Sequence, residues 1–386
     1  MKIALVHDAL VNFGGAERVL SVFHEIFSEA PIYTTVYLPE CTHSSLSGAD
    51  IRTSFLQKLV HSEQALKLVF PLTFLAMRRL DFAGYDVVLS SSTFCAKDLN
   101  TPPGTRHICY CYSFFRPAWE FSHYMSKYDM NPLAKSALAP LFAFFRRWDY
   151  NAAQKPHLLI TISQHAARKI ERAYGRKPAI IYPPVDVARY PLSEKSEDFF
   201  LVVSRLMPYK RIDVVVEAFN QVRAPLKIVG VGPDLRRLRA LARANVEFVG
   251  PVSEETLIEY YARCRCVIFP GEEDFGLVPL EAHACGKPAI ALGRGGALET
   301  VIGFNDRNAT SGSSYEATGV FFYEQTPEAL ADAVGLFEKL TFHPQAIRRR
   351  AWLFDKSHFK KKILGLIECP PSAEMGAVSE PDEATL

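Results

Sequence analysis

Residues 264–288 read CRCVIFPGEEDFGLVPLEAHACGKP, an apolar run followed by a polar turn and then by a segment of helical character. Similar apolar runs alternate with amphipathic stretches along most of the chain. The first half passes from KIALVHD (2–8) to GGAERVLSVFHEIF (14–27), and the second half from DFFLVVSRL (198–206) to RIDVVVEAFNQV (211–222). Alternation at this spacing predicts parallel sheets with helices on both faces. We therefore predict an α/β protein made of two doubly wound domains.

The alternation is interrupted in the middle of the chain and again near its end. A chain of 386 residues is too long for one core at the usual domain size of roughly 100 to 200 residues. Pro183, Pro184 and Pro191 stiffen the stretch between the two halves, as an interdomain linker requires. We predict a first domain over 1–182, a second over 183–345, a C-terminal helix over 346–370 that crosses back to the first domain, and a disordered acidic tail over 371–386.

Composition argues against several functional classes. The formal net charge of +2 argues against wholesale binding to nucleic acid, which usually requires a strongly basic face. No stretch reaches the roughly 18 uninterrupted apolar residues that a membrane-spanning helix needs. The N-terminal apolar run breaks at His7 and Asp8, which is typical of a first strand and not of a signal peptide. Eight cysteines are too sparse for a disulfide scaffold, so we predict a cytoplasmic protein with free thiols.

Two carboxylates in residues 264–288 are candidates for binding hydroxyl groups. Glu273 precedes the predicted helix and Glu281 lies inside it. If the helix begins near Gly276, the amides of its first turn face the cleft between the domains and can bind a phosphate. Carboxylates beside such amides suit a nucleotide sugar, because its sugar and its ribose both carry vicinal hydroxyls. The amides in question belong to Phe275, Gly276, Leu277 and Val278.

Two cations follow the first strand of the second domain. In VVSRLMPYKRID (202–213), Arg205 and Lys210 lie on the loop that leads into the next helix. Each charge-assisted hydrogen bond to a phosphate contributes on the order of 1.5 to 3 kcal/mol, so two cations and the helix amides can hold a diphosphate leaving group. We therefore expect no metal site and no cofactor beyond the nucleotide-sugar substrate.

Together these motifs make the chain similar to the retaining glycosyltransferases of family four, including mannosyltransferases of bacterial polysaccharide assembly. The resemblance spans nearly the whole chain. It implies a GT-B fold, in which an N-terminal Rossmann-like acceptor domain and a C-terminal Rossmann-like nucleotide-sugar domain face a cleft. The segments that carry it are GGAE (14–17), YPPVD (182–186), SRLMPYKRID (204–213), VGVGP (229–233) and EDFGLVPLEAHACGKP (273–288).

The resemblance also implies a role for each candidate residue. Arg205 and Lys210 bind the donor diphosphate. Glu273 contacts hydroxyls of the transferred sugar, and Glu281 contacts the ribose of the nucleotide. The first loop approaches the reacting groups at its glycine pair, Gly14 and Gly15.

One position departs from the family pattern. Many relatives have CYCHTPPR where this chain has CYCYSFFRPAW, so Tyr112 matches a histidine that usually reaches the donor sugar. Tyrosine can donate a hydrogen bond but is not a cation at neutral pH. We retain Tyr112 as a catalytic candidate, with Arg116 as a source of the missing positive charge.

Each motif also has a plainer explanation. The glutamates can stabilise a helix end, the cations can form surface ion pairs, and Gly14 and Gly15 can serve a tight turn. Tyr112 can be a core aromatic. His7 and His283 also draw attention, and we interpret His283 as a packing residue because it points to a different helix face from Glu281.

The partners expected are a nucleotide-sugar donor, weakly favoured as GDP-mannose, and a glycan or polyprenyl-linked acceptor. Two stretches, residues 55–82 and 140–148, combine basic and large apolar side chains. This combination is typical of a surface in peripheral contact with the inner face of a cell membrane, but also of an ordinary core face with a basic rim. A sugar-nucleotide epimerase of the same fold and a non-catalytic nucleotide-sugar-binding relative remain as alternative functions.

Overall fold

The computed structural model describes residues 1–42, 44–121, 131–304 and 316–368. The chain forms two compact units. The first contains Met1–Pro184 together with the chain from Ser357 onward, and the second contains Val185–Lys356. The tail predicted over 371–386 lies outside the described residues.

A parallel seven-stranded sheet forms the centre of the first unit. Along the sheet the strands follow the order β3-β2-β1-β4-β5-β6-β7. Every position of β4 and β5 is buried, as expected for a parallel sheet that helices cover on both faces. The strands are β1 Ile3–His7, β2 Ile32–Thr34, β3 Ile51–Thr53, β4 Val87–Ser92, β5 Arg106–Cys111, β6 Leu158–Thr161 and β7 Ala179–Ile180.

The helices of the first unit begin and end at recognisable signals. Ser62 and Ser163 cap two of them, because their hydroxyls accept hydrogen bonds from the amides of Ala65 and Ala166. Gly175 ends a helix in the left-handed conformation that glycine adopts readily. The helices are α1 Gly15–Ile26, α2 Glu63–Leu68, α3 Phe70–Arg78, α4 Arg116–Trp119, α5 Pro132–Ala153 and α6 Gln164–Tyr174.

The second unit is built on a parallel six-stranded sheet with the strand order β10-β9-β8-β11-β12-β13. Its two faces pack into separate buried apolar clusters, as a doubly wound sheet requires. The strands are β8 Phe200–Val203, β9 Leu226–Val229, β10 Val246–Gly250, β11 Cys266–Phe269, β12 Ala289–Leu292 and β13 Gly319–Phe322. The helices are α7 Ile212–Val222, α8 Leu235–Leu241, α9 Glu254–Arg263, α10 Leu277–Ala284, α11 Ala297–Thr300, α12 Pro327–Phe337 and α13 Pro344–Trp352.

The segment predicted as one helix over 346–370 contains two helices. The first is α13, in the second unit, and the other is α14 Lys356–Glu368, which belongs to the first unit from Ser357 onward. Between them the backbone pairs with Val185, which donates to the carbonyl of Phe354 and accepts from the amide of Lys356, each at 2.9 Å. This pairing uses backbone groups that a continuous helix would need for itself.

Helix α14 completes the core of the first unit. The ring of Phe359 is 2% exposed and stacks on the ring of Phe23, with centroids 5.6 Å apart. At the end of the helix, the guanidinium of Arg106 donates hydrogen bonds to the carbonyls of Leu366 and Ile367 at 2.8 and 3.2 Å. A cation at this position stabilises a helix C-terminus, because the last carbonyls have no partner within the helix.

The prediction of two doubly wound α/β domains is confirmed. The change of unit falls between Pro184 and Val185, two residues after the predicted boundary. No helix in the described ranges is both long and apolar enough to cross a membrane. The described cysteines are free, and all except Cys41 are buried.

Replacing Phe359 with alanine should lower the free energy of unfolding by about 3 to 5 kcal/mol, because it leaves a cavity against Phe23. Urea denaturation followed by circular dichroism measures this change. Leu364→Ala, at an exposed position of the same helix, is the matched control and should change the value by less than about 0.5 kcal/mol. Equal effects of the two variants would show that Phe359 does not contribute to the core.

Candidate functional site

Each sheet has one point at which the strand order changes direction. In the first unit this point lies between β1 and β4, and in the second between β8 and β11. Ligands of open α/β sheets bind outside the carboxyl ends of the strands at such points. The candidate residues follow these strands: Gly14 and Gly15 follow β1, Arg205 and Lys210 follow β8, and Glu273 follows β11.

Lys210 and Glu273 come together at this point of the second unit. The Nζ atom of Lys210 lies 2.5 Å from Oε1 of Glu273. The two side chains are 16% and 31% exposed, so both remain reachable by a ligand. Lysine has three N–H donors, and one carboxylate oxygen occupies only one of them. Arg205, on the same loop, is exposed, and its guanidinium has no partner within the described ranges.

A side-chain bridge holds the two loops together. Arg211 adopts the left-handed conformation, with φ of 55°, directly after the 3-10 turn Pro208–Lys210. Its guanidinium donates to the side-chain oxygen of Gln325 at 3.0 Å, and the side-chain nitrogen of Gln325 donates to the carbonyl of Pro270 at 2.9 Å. The loop that carries Lys210 is therefore fixed against the loop that carries Glu273.

The VGVGP segment lies against the loop that carries Arg205. A Cβ atom on Gly230 would lie 2.0 Å from the carbonyl oxygen of Ser204, and one on Gly232 would lie 2.2 Å from that of Leu206. Gly230 also has φ of +132°, a conformation that other residues rarely adopt. The two glycines allow a close contact between backbones that sets the path of the loop.

Glu281 lies inside α10, and Gly276 is the N-cap of this helix. The Glu281 side chain is buried, and Oε2 accepts a hydrogen bond from the hydroxyl of Tyr261 at 2.6 Å. His283 is fully buried, with Nε2 3.1 Å from the carbonyl oxygen of Thr318. Burial lowers the pKa of His283 to about 3, so its ring is neutral at pH 7, in agreement with a packing role.

Two further glycines support the segment around Glu273. The amide of Gly296 donates to the carbonyl of Glu273 at 2.8 Å. A Cβ atom on Gly295 would lie 2.5 Å from that same carbonyl oxygen, and one on Gly296 would lie 2.3 Å from Cα of Phe275. These glycines, with Tyr261 and Gln325, were missed by the sequence analysis. The glycine-rich stretch GRGG (293–296) was the one available sequence signal for this group.

In the first unit, the GGAE segment forms the start of α1. Gly14 is the N-cap and Gly15 the first helical residue, and the amide of Gly14 donates to Oε2 of Glu17 at 2.8 Å. The other oxygen of Glu17 lies 3.4 Å from Nε2 of His7. Burial raises the pKa of Glu17, but the hydrogen bond and charge of His7 outweigh it and hold this pKa below its usual value. Glu17 is therefore ionised at neutral pH.

Tyr112 belongs to the same polar cluster. Its hydroxyl lies 2.9 Å from Oγ of Ser91 and donates to the carbonyl of Ala16 at 3.0 Å. Ser91 in turn lies 3.0 Å from Nδ1 of His7. Burial raises the pKa of Tyr112 well above its usual value, so the phenol keeps its proton at neutral pH. Tyr112 thus fixes the start of α1, while any contact with a donor stays a prediction.

Asp8, directly after β1, holds the turn that follows β4. Its carboxylate accepts hydrogen bonds from the hydroxyl of Thr93 at 2.6 Å and from backbone amides of residues 93–96. Burial opposes ionisation, but the charge of His7 and these hydrogen bonds lower the pKa of Asp8 below its usual value. The carboxylate therefore ties together the loops at the direction change of the first sheet.

The second unit thus brings together a cation, a carboxylate and a helix N-terminus, which is an arrangement suited to a phosphorylated ligand with hydroxyl groups. Arg116, the proposed replacement for a missing cation, is the first residue of α4 and is partly buried. Within the described ranges, no three His, Cys, Asp or Glu side chains are grouped as metal ligands would be. Independence from metal ions stays a prediction.

Comparison with known families identifies the class of protein. Residues 13–189 match the model of Glycosyltransferase Family 4, and residues 188–352 match that of Glycosyl transferases group 1. Together the two models cover residues 13–352. The chain belongs to glycosyltransferase family 4 and has the GT-B fold.

Individual relatives agree with this assignment. A GDP-mannose-dependent monoacylated α-(1-6)-phosphatidylinositol monomannoside mannosyltransferase of Corynebacterium glutamicum is 34% identical over 37% of this chain and 46% of its own length. A GDP-mannose-dependent α-(1-6)-phosphatidylinositol monomannoside mannosyltransferase of Mycobacterium tuberculosis is 34% identical over 45% of this chain and 50% of its own. The chain thus spans about half the length of the curated relatives it matches.

A solved structure extends the likeness in fold to both units. The Anabaena protein HepE, crystallised with UDP and glucose, superposes with a TM-score of 0.67 at 18% sequence identity. The alignment covers 96% of this chain and 100% of that one.

Replacing Gly230 with alanine should destabilise the second unit, because the left-handed backbone alone costs about 1 to 3 kcal/mol and the new methyl group meets Ser204. Urea denaturation measures the change. Gly335→Ala is the matched control: in α12, a Cβ atom there meets nothing within 4 Å, and the substitution should stabilise the helix by about 0.5 to 1 kcal/mol. A Gly230→Ala variant as stable as the parent would contradict the close contact between the two loops.

Proposed function

We propose that the chain is a retaining glycosyltransferase that moves a sugar from a nucleoside diphosphate to an acceptor hydroxyl. The observation that carries the proposal is the Lys210–Glu273 ion pair at the carboxyl ends of β8 and β11, with Arg205 on the same loop. A cation suits the diphosphate of such a donor, and a carboxylate suits the hydroxyls of its sugar. Both groups are held by neighbouring strands, which favours a defined geometry.

In the proposed reaction, the bond between the anomeric carbon and the diphosphate oxygen breaks while a bond to the acceptor oxygen forms on the same face of the sugar. The departing diphosphate takes the proton of the acceptor hydroxyl. Lys210 and Arg205 stabilise the negative charge that develops on the leaving group. Glu273 orients the transferred sugar, and Glu281, held by Tyr261, binds hydroxyls of the ribose.

Cationic side chains take over the charge stabilisation that a divalent ion provides in other transferases, so we propose activity without a metal ion or cofactor. The amides of Phe275, Gly276, Leu277 and Val278 at the start of α10 add to the binding of phosphate. In the first unit, Gly14, Gly15 and Tyr112 shape the loop that is proposed to approach the transferred sugar.

GDP-mannose is the donor that we propose. The support comes from the two actinobacterial relatives, whose names state dependence on GDP-mannose at 34% identity. The likeness to HepE, at 18% identity, supports the fold alone.

A glycan or a polyprenyl-linked saccharide is the proposed acceptor, and the cytoplasm is the proposed site of the reaction. The names of both relatives describe an acceptor that is itself a glycolipid, a phosphatidylinositol monomannoside. A sugar carried on a lipid would be met at the inner face of the cell membrane.

Two other functions would use the same second unit. A sugar-nucleotide epimerase would convert the donor without an acceptor, and a non-catalytic relative would bind it unchanged. Membership of a transferase family favours transfer over both. Nuclear magnetic resonance of the donor incubated with the protein separates the three, because slow hydrolysis, epimerised donor and unchanged donor give different signals.

Lys210→Ala and Arg205→Ala should each lower the rate of donor turnover by about 10²- to 10³-fold, because each removes a charge that stabilises the leaving group. The rate of donor hydrolysis or transfer, followed by nuclear magnetic resonance, measures this loss. The same time course shows whether the first-formed sugar keeps the anomeric configuration of the donor. Arg236→Ala, at an exposed arginine of α8, is the matched control and should leave the rate unchanged.

If either variant kept the parent rate while its thermal unfolding was unchanged, the donor phosphates would have to bind elsewhere. If the first-formed sugar had the inverted configuration, this result would contradict the retaining mechanism but not the assignment of the donor site.

A panel of UDP- and GDP-sugars should raise the melting temperature most with GDP-mannose. A donor present at 100 times its dissociation constant stabilises the folded state by about 2.7 kcal/mol, which a thermal-shift assay resolves. The shift and the turnover should both persist in excess EDTA. A larger shift with a UDP-sugar would contradict the proposed donor, and loss of turnover that Mg²⁺ or Mn²⁺ restores would contradict independence from metal ions.

A further inference from the structure

An exposed apolar strip runs along one segment of the first unit, from the 3-10 turn Phe55–Lys58 to α3. Leu68 is 85% exposed, Leu59 is 61% exposed, and Leu72 and Leu75 are each 42% exposed. The opposite side of the same segment is anchored in the core, where Leu56, Val60, Leu66 and Ala76 pack together. The segment is therefore well held, and its outward leucines face solvent on an ordered surface.

Helix α5 also exposes large apolar side chains. Phe144 is 64% exposed and Leu141 is 47% exposed, three residues apart on one side of the helix. On its inward side, the ring of Phe145 lies 5.1 Å from that of Phe70 and 5.9 Å from that of Phe74, measured between centroids. These contacts place α5 beside α3. We call the outward sides of residues 55–79 and 141–147 the leucine face.

Basic residues outnumber acidic ones in the two segments of the leucine face. Residues 55–79 contain Lys58, Lys67, Arg78 and Arg79, against the single acid Glu63. Residues 141–147 contain two arginines and no acid. Lys67 pairs with Glu63 at 2.7 Å and Arg78 pairs with Asp98 at 2.8 Å, so Lys58 and Arg79 carry the remaining positive charge of this segment. The guanidinium of Arg79 lies over the ring of Phe55, 5.6 Å from its centroid, which places this charge beside the apolar strip.

We infer that the leucine face docks on an anionic lipid surface. Apolar side chains flanked by cations match the boundary of a bilayer, where leucines enter the acyl region and cations meet negative headgroups. A second copy of the chain fits this face poorly, because two such faces would bring like charges together. The inference is independent of the proposed donor and reaction, and it provides a surface at which a lipid-linked acceptor would be reached.

Co-sedimentation with lipid vesicles tests this inference on the full chain. Two vesicle types are compared: phosphatidylcholine alone, and phosphatidylcholine with about one third phosphatidylglycerol. We expect binding to the anionic vesicles, weaker binding to the neutral ones, and a loss of binding as salt rises, because salt screens attraction between exposed charges. Circular dichroism and analytical ultracentrifugation of each variant check folding and oligomeric state.

Two double variants probe the two components of the face. Leu72→Ser with Leu75→Ser removes apolar contact, and Lys58→Gln with Arg79→Gln removes charge. Each should lower the partition coefficient on anionic vesicles by about tenfold or more.

Matched controls lie outside the face. Leu192→Ser with Leu364→Ser changes leucines that are 40% and 37% exposed, and Arg236→Gln with Lys339→Gln changes exposed cations of the second unit. Both control variants should bind vesicles like the parent chain.

Three results would overturn the inference. The first is a parent chain that does not sediment with anionic vesicles. The second is equal binding by the face variants and their controls. The third is a parent chain that is dimeric in solution and becomes monomeric in the face variants, which would make the leucine face an interface between copies.

Discussion

Neighbouring parallel strands end at the same edge of their sheet, and the arrangement of the candidate site depends on this constraint. In the second unit, β11 pairs with β8, with Cys266 opposite Phe200 and Val267 opposite Leu201. Because the two strands are in register, the loops that follow them start side by side. The side chains of Lys210 and Glu273 can therefore form an ion pair, although 62 residues lie between them in the sequence.

Contacts between backbones keep these loops in place without occupying the space that a ligand needs. Glycines at 230, 232, 295 and 296 let one chain segment approach another more closely than any side chain would allow. The loops therefore contact each other through main-chain atoms, while the side chain of Arg205 is exposed and those of Lys210 and Glu273 are partly exposed. A site ordered before its ligand arrives loses less entropy on binding.

Sequence patterns predicted the fold well, because the alternation of strand and helix is a local signal that each apolar run carries by itself. The pairing of Lys210 with Glu273 could be anticipated only in part, since both residues were candidates but their contact depends on strand order. Tyr261 could not be found, because its hydroxyl meets Glu281 from α9, a helix whose sequence carries no sign of this contact. The break between α13 and α14 was also missed, because it depends on a bridge to Val185, far away in sequence.

The first unit is built from two separate segments of the chain, because α14 follows the whole of the second unit in the sequence. During synthesis on the ribosome, the ring of Phe23 and the guanidinium of Arg106 therefore have no contact with α14 until the second unit has been made. Domains generally fold as units and in order of synthesis, so an N-terminal unit that lacks one helix exposes apolar surface for that interval. The core of the first unit is therefore completed only after the second unit has been synthesised.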